Sequence, residues 1–278
     1  MESHGRVLRA LGLHQDGVRH HVRVPHPVRQ RIFITGASAG LGQGLAREFA
    51  ARGRDLALVA RRLDRLEELR EELLAADPAI RVAVAALDVD DPDAVSAVVP
   101  RLAGELGGID RFIANAGLGK GTSVGSGQPR PNRQVLVTNV LGTHACCEAA
   151  VELFRAQGSG HLVVISSVAG VRGMGGTRTA YATSKAADAI LAEGIRADLL
   201  GDRRTRAIRV TTVHPGYIET DINVGRRGPF TVDLPTGVTA LTAAIEREPV
   251  RAYVPEWPWR PVAGLLRVLP LPLVRRLA

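Results

Sequence analysis

The sequence predicts an α/β fold: a doubly wound, mostly parallel sheet with helices on both faces. Two patterns point to it. Short apolar runs of strand length alternate with amphipathic stretches of helical spacing, an order that makes strands parallel and joins them by helical crossovers. The first strand and first helix are separated by a glycine-rich turn, a signature of ligand-binding α/β sheets. At 278 residues, 45% hydrophobic and 23% charged, the chain suffices for one sizeable core. Its composition excludes collagen-like, coiled-coil and wholly disordered chains.

The elements follow in order from Arg31. Arg31-Ile32-Phe33-Ile34-Thr35 is an apolar run closed by glycines, and an amphipathic helix is expected over 41–51. Asp55 to Ala60 reads as a second buried strand. Leu63, Leu66, Leu69, Leu73 and Leu74 recur at helical spacing among charges, and Asp77-Pro78 ends that helix before a strand over 81–88. Further strands are expected at 111–115, 161–166, 209–214 and 252–255. Helices are expected near 93–106, 132–157, 180–200 and 236–247. The stretch from Leu118 to Pro131, rich in Gly, Ser and Pro, reads as a loop that either borders a pocket or connects two elements.

Charge and thiols narrow the setting. Lys plus Arg number 36 against 28 Asp plus Glu, a formal charge of +8 that suits nucleic acid, anionic lipid or a phosphorylated ligand equally. A nucleic-acid role is disfavoured because aromatics are only 4% and the arginines are dispersed rather than gathered on one reading element. The two cysteines, Cys146 and Cys147, are adjacent in an apolar stretch, which reads as packed thiols in a reducing, cytoplasmic compartment. His14, His20, His21 and His26 lie in a histidine-rich start that lacks the carboxylate or cysteine needed to complete a metal set. No metal is expected. That start also has no apolar run long enough for a signal peptide.

The chemistry begins at Thr35-Gly36-Ala37-Ser38-Ala39-Gly40-Leu41-Gly42. Three glycines between a strand and a helix let a pyrophosphate approach bare amides at the helix N-terminus, although a purely structural tight turn uses the same residues. An NAD site would end the second strand with an acid for the ribose hydroxyls. Here the chain reads Ala60-Arg61-Arg62, and two guanidinium groups without that acid point to the 2′-phosphate of NADP(H) in preference to NAD(H). Later, Tyr181-Ala182-Thr183-Ser184-Lys185 sets a phenol and an ammonium one helical turn apart. One of the chain's two lysines thereby meets one of its three tyrosines. A nearby ammonium stabilises phenolate and makes tyrosine a usable acid or base near neutrality. Upstream, the strand over 161–166 runs into Ser166-Ser167-Val168-Ala169-Gly170, putting a hydroxyl at the carboxyl edge of the sheet, where ligands bind.

From about Arg31 through Thr220 the sequence resembles the short-chain dehydrogenase/reductase family. The motifs occur in its order: Thr35 to Gly42, Asp88-Val89, Asn115-Ala116-Gly117, Asn139, Ser167, Tyr181 with Lys185, and Pro215-Gly216-Tyr217-Ile218-Glu219-Thr220. The resemblance implies a single Rossmann-type domain that moves hydride between NADP(H) and a carbonyl or secondary alcohol. In it Tyr181 would protonate the carbonyl oxygen, Ser167 would polarise it, Lys185 would hold the nicotinamide ribose, and Asn139 would keep a relay water. Gly36, Ser38, Gly40, Leu41 and Gly42 would cradle the cofactor, Asp88 and Val89 would meet adenine, and Asn115, Ala116 and Gly117 would support it. Pro215, Gly216, Ile218 and Thr220 would line the nicotinamide. The spacing from Ser167 to Tyr181 is one residue longer than the family often shows, which implies an added residue in the Gly173-Met174-Gly175-Gly176 loop. Ser167 is preferred to Ser166 because strand alternation sends the two hydroxyls to opposite faces. A dimer or tetramer is implied too. A non-catalytic NADP(H) sensor or scaffold is the alternative, but it would not need Asn139, Ser167, Tyr181 and Lys185 together.

Several residues take plainer readings. His214 is expected as a strand-end histidine whose bonds are met, and Lys120 as a solvated cation. Asp221 to Pro235 would close the pocket by the family's analogy, with Val224, Phe230, Val232 and Leu234 hinting at an apolar substrate. Residues 1–30 are expected as a poorly ordered extension, 31–255 as the catalytic domain and 256–278 as a Trp-, Leu- and Arg-rich tail. Broken by Pro270 and Pro272, that tail is too short to span a bilayer. It would pack on its own domain or on a dimer mate, cover the pocket as a lid, or lie on a membrane surface through Trp257, Trp259 and its arginines. The last choice would put the protein at the inner face of a membrane.

Overall fold

β1 (Arg31–Thr35) and β2 (Asp55–Ala60) run parallel, with Arg31 beside Asp55 and Thr35 beside Val59. The computed structural model describes residues 28–119, 121–220 and 230–277, with side chains through Arg275. The histidine-rich start, Lys120, Asp221 to Pro229 with Val224, and the Arg276 side chain lie outside the described residues. β3 (Val82–Ala86), β4 (Arg111–Ala114), β5 (Gly160–Ile165), β6 (Ile208–Pro215) and β7 (Arg251–Val254) complete a seven-stranded sheet. Its order is β3-β2-β1-β4-β5-β6-β7, and each neighbouring pair is parallel. This is the doubly wound sheet that the sequence predicts.

The period-two alternation of side chains fills two cores. Phe33, Ala57, Val59, Phe112, Leu162 and Val164 point to one face and meet α3 (Pro92–Leu106), α5 (Thr143–Gln157) and α6 (Thr179–Leu200). Phe33 stacks on Phe112 at 4.6 Å. The intervening residues Ile32, Ile34, Leu56, Leu58, Ile113 and Val163 point to the other face. They meet α1 (Gly40–Ala50), α2 (Leu63–Ala76) and α7 (Leu234–Glu246).

The helix expected over 132–157 is compound. α4 (Pro129–Leu136) passes through a wide π-helical segment, Val137–Gly142, into α5. Pro129 at the first turn gives α4 an earlier start than the apolar periodicity shows. The tail forms α8 (Glu256–Val268) and α9 (Leu271–Leu277). Leu266 and Val274 pack with Ala169, Met174 and Ala182, and with the partly buried Tyr181. The tail therefore lies against its own domain.

At the amino-terminal edge of the sheet, opposite the strand ends that carry the cleft, charges are buried together. Arg29 donates from Nε to Glu248 Oε1 at 2.7 Å and from Nη2 to Oε2 at 3.1 Å. Buried Arg111 donates to Glu246 at 2.6 Å, to Glu248 at 3.3 Å and to His161 Nδ1 at 2.9 Å. With Nδ1 accepting, His161 carries its proton on Nε2 and donates to Thr211 Oγ1 at 2.9 Å. Arg29 and Gln30, placed by sequence in the extension, are held here, since the Gln30 amide donates to Asp110 at 3.1 Å.

Candidate active site

The carboxyl ends of β1, β2, β4, β5 and β6 open into one cleft of about 440 Å³. Its first wall is the turn between β1 and α1. Gly36 and Gly40 hold left-handed backbone, φ 68° and 54°, which glycine adopts without strain. A Cβ on Gly36 would stand 2.9 Å from Ala116 Cα, and one on Gly42 would stand 2.3 Å from the Gly36 carbonyl oxygen. The turn therefore folds tightly on itself and on the end of β4. α1 follows Ala39 at its N-cap position, with no side-chain cap and no acid in its first turn. Its amino-terminal amides keep their partial positive charge for an anion, and Ala39, Gly40 and Leu41 line the cleft. Gly42 stands behind this wall, giving the turn room.

Arg61 and Arg62 at the end of β2 line the same end of the cleft, with Ser38. Arg62 donates to Ser38 Oγ from Nη2 at 3.0 Å and from Nε at 3.3 Å, which ties the basic pair to the glycine turn. Asp88 and Val89 beyond β3, and Asn115, Ala116 and Gly117 beyond β4, line the middle. Asn115 and Ala116 donate backbone N–H to Thr35 Oγ1 at 2.9 and 3.0 Å, and Asn115 Nδ2 donates to the Thr35 carbonyl at 2.9 Å. These bonds lock the ends of β1 and β4 together.

Ser167, Tyr181 and Lys185 gather beyond β5, all lining the cleft. Ser166 also lines it, but its hydroxyl donates to the Lys185 carbonyl at 2.6 Å and is occupied in holding α6 to the strand. Ser167 Oγ accepts from the Ala169 N–H at 3.1 Å and has only a long contact, 3.4 Å, with the Pro215 carbonyl. Lys185 Nζ donates to the Ile165 carbonyl and to Asp188 Oδ2, both at 2.9 Å. Among the described residues two of its three N–H bonds are engaged, and Lys185 lines the cleft. Burial works against the ammonium, but Asp188 and Tyr181 outweigh it and hold its pKa above the ordinary lysine value. Burial lifts the Asp188 carboxyl above its usual range, with Lys185 opposing.

Asn139 is fully buried on the π-helical segment rather than in the cleft wall. It accepts from the Leu118 N–H at 2.7 Å and donates to the Leu118 carbonyl at 2.9 Å and to Ser184 Oγ at 3.0 Å. It thus fastens Leu118, which follows the turn after β4, to α6, and Leu118 borders the cleft. Pro215, Gly216, Ile218 and Thr220 after β6 form the remaining wall.

The alignment of these motifs along one cleft coincides with a family profile described as short chain dehydrogenase, which matches residues 30–228. The chain belongs to the short-chain dehydrogenase/reductase family of oxidoreductases. It is 52% identical over 251 residues to an uncharacterized oxidoreductase of Mycobacterium tuberculosis strain H37Rv, covering 90% of this chain and 98% of that one. A short chain dehydrogenase from Burkholderia cenocepacia, solved in complex with NADP, is similar at 25% identity and a TM-score of 0.73. It covers 90% of this chain and 97% of its own. A short chain dehydrogenase/reductase from Burkholderia phymatum, in complex with NAD, shares the fold at a TM-score of 0.77 and 20% identity, covering 91% and 98%.

Two features of this short-chain dehydrogenase/reductase escape the sequence reading. Asp188 is buried against Lys185 three residues on, and that spacing is the signal that could have found it. Trp259 reaches back from the tail to Gly216, where a Cβ would lie 2.0 Å from its Nε1. His214 is buried behind Ser167, with Nδ1 3.2 Å from the Ser167 carbonyl and its ring stacked 5.0 Å from Tyr253. Among the described residues its Nε2 has no partner, so its bonds are met there on one side only. Burial, with Arg251 and Arg267 adding to it, pushes its pKa down to about 4, leaving the ring neutral. Cys146 and Cys147 are free and buried, and burial pushes the Cys146 thiol up to about 12, which suits packed thiols.

Proposed function

We propose that this enzyme transfers hydride between NADP(H) and the carbonyl or secondary-alcohol carbon of a small organic molecule. The observation that carries the reading is the convergence of Ser167, Tyr181 and Lys185 on the cleft whose other end holds the glycine turn and Arg61–Arg62. The uncapped start of α1 and the Gly36–Gly40 backbone would hold the pyrophosphate, with Gly42 giving the turn its room from behind. Asp88 and Val89 would border the adenine, with Asn115, Ala116 and Gly117 supporting the ring system. Arg61 and Arg62 would grip a 2′-phosphate, which supports NADP(H) over NAD(H) because a carboxylate is missing there. Bound in this cleft, a nicotinamide dinucleotide supplies or accepts the hydride.

The chain's own groups handle the proton. Ser167 Oγ, nearly uncommitted, would donate to the substrate oxygen and align it. Tyr181 would deliver its proton to that oxygen in reduction and take it back in oxidation. The Lys185 ammonium would stabilise the phenolate left behind, while its third N–H would meet a ribose hydroxyl. Asn139 acts from behind by fixing Leu118 beside them, and a relay water on it is part of the proposal. The tail's Leu266 and Val274, packed near Tyr181, support an apolar carbonyl substrate.

A homo-oligomer is proposed as well, supported by a groove of about 940 Å³ among α3, α5 and α6 that is lined in part by Val151, Leu153, Leu191 and Ile195. Free thiols support a reducing, cytoplasmic setting. The test follows NADPH and NADH oxidation with a panel of aldehydes and ketones, comparing the natural chain with Tyr181→Phe. Turnover should favour NADPH and fall by about 10²- to 10⁴-fold in the variant, with dinucleotide binding retained. Unchanged turnover in Tyr181→Phe, or a preference for NADH, would overturn the respective assignment.

A further inference from the structure

α8 is apolar on two opposite faces. At about 100° per residue, Trp259, Val262, Ala263 and Leu266 share one side. Trp259, Ala263 and Leu266 are buried on the domain. Pro261, Gly264, Leu265 and Val268 fall on the opposite side. Leu265 is 53% exposed and Val268 77%, and Trp257 at the helix entry is 79% exposed. Leu271 and Leu273 carry the exposed apolar surface into α9. The solvent side of a surface helix is ordinarily polar, and packing on the domain uses only the inner face.

Charge around the outer face has one sign. Arg260, Arg267 and Arg275 are exposed. Glu256 is the tail's single acid and is engaged with Arg260 at 2.7 Å. A second copy is poorly suited as occupant, since a two-fold contact would set these arginines against their own equivalents in a chain of formal charge +8. A convex stripe of Trp and aliphatic side chains edged by arginine matches a flat anionic boundary, where ring and alkyl groups enter and guanidinium groups stay at the headgroups. Among the described residues no helix is long and apolar enough to cross a membrane.

We infer that the outer face of α8 docks reversibly on an anionic lipid surface, with Trp257, Leu265 and Val268 as apolar contacts and Arg260, Arg267 and Arg275 as the charged edge. Because the inner face of α8 packs on the Tyr181 side of the cleft, docking brings that side to roughly one helix diameter, about 10 Å, from the lipid. The inference does not depend on the reaction catalysed.

The experiment is co-sedimentation of the whole chain with vesicles of phosphatidylcholine alone and of phosphatidylcholine mixed with phosphatidylglycerol. Three proteins are compared: the natural chain, Trp257→Ser/Leu265→Gln/Val268→Gln, and Arg267→Gln/Arg275→Gln. The natural chain should sediment with the mixed vesicles only, and the apolar triple variant should bind at least about tenfold more weakly. The arginine pair should lower binding by a factor on the order of ten or more and reduce its sensitivity to salt. Circular dichroism and melting establish that each variant is folded, and if the triple variant is not, the arginine pair carries the test. No sedimentation of the natural chain, equal binding to both vesicles, or binding unchanged in the folded variants overturns the inference. So does an oligomer that the triple variant dissociates without any vesicle binding, which assigns the face to a second copy. Vesicle-independent capture by an acidic protein overturns it as well.

Discussion

Lys185 and Asp188 meet at 2.9 Å where both side chains are almost wholly buried, so neither charge tolerates loss of the other. Asp188→Ala should cost about 3–5 kcal/mol by leaving a buried ammonium uncompensated, read as a lower urea midpoint at unchanged slope. Asp188→Asn, which keeps an acceptor, should cost less. His214 gives a pH signature of its own. Above pH 6.5 the ring is neutral folded or unfolded; between 6.5 and about 4 only the unfolded chain takes the proton, so stability falls as pH drops through that window. The loss is about 1.4 kcal/mol per pH unit and about 3 kcal/mol in all. His214→Gln should remove that slope in urea titrations run from pH 7 to pH 4, and parallel curves for the two proteins would refute the assignment. Tyr181, Lys185 and Ser167 are legible in sequence because their chemistry is tied to a spacing and a strand end. The His214 and Asp188 environments are not, since burial by α6, β6 and β7 is a property of the packed fold.

Among the elements, α8 is the one whose position a single small change tests. Gly216 passes directly beneath the Trp259 ring, so Gly216→Ala must push α8 outward or shift the wall after β6. Differential scanning calorimetry should show a loss of about 1–3 kcal/mol, and Trp259→Leu in the same chain should recover much of it. Additive losses in the double variant would mean that the two residues do not press on each other. Strands and the helices on either side are readable from alternation and heptad-like spacing. The π-helical segment at Val137–Gly142 is not, because one extra residue per turn leaves the apolar pattern of 132–157 nearly intact. α8 is also hidden: Pro258 and Pro261 suit a first helical turn but read as breakers in a bare sequence.

For the whole molecule, the sheet divides its duties between its two edges. The carboxyl ends of the strands hold the cleft, whereas the amino ends bury Arg29, Arg111 and Glu248 as one charge network, with half-buried Glu246 at its rim and the neutral His161 ring accepting from Arg111. Glu248→Ala should cost about 3–5 kcal/mol, a drop in Tm of roughly 10 °C, while kcat/KM per folded molecule stays unchanged. Lower kcat/KM in the fully folded variant would show that the two edges are coupled. The parallel order of the sheet follows from the sequence of elements, but this network does not, because its members are far apart along the chain. Arg29 and Glu248 are separated by 219 residues. During synthesis at about 5–20 residues per second, Arg29 leaves the ribosome some tens of seconds before its carboxylate exists. The nascent chain must carry that arginine, and Arg111 after it, in solvent until β7 is nearly made. Completion of the sheet is thereby timed to the arrival of its last strand, and a chain stalled before Glu248 is left with two cations at the edge where that strand should close.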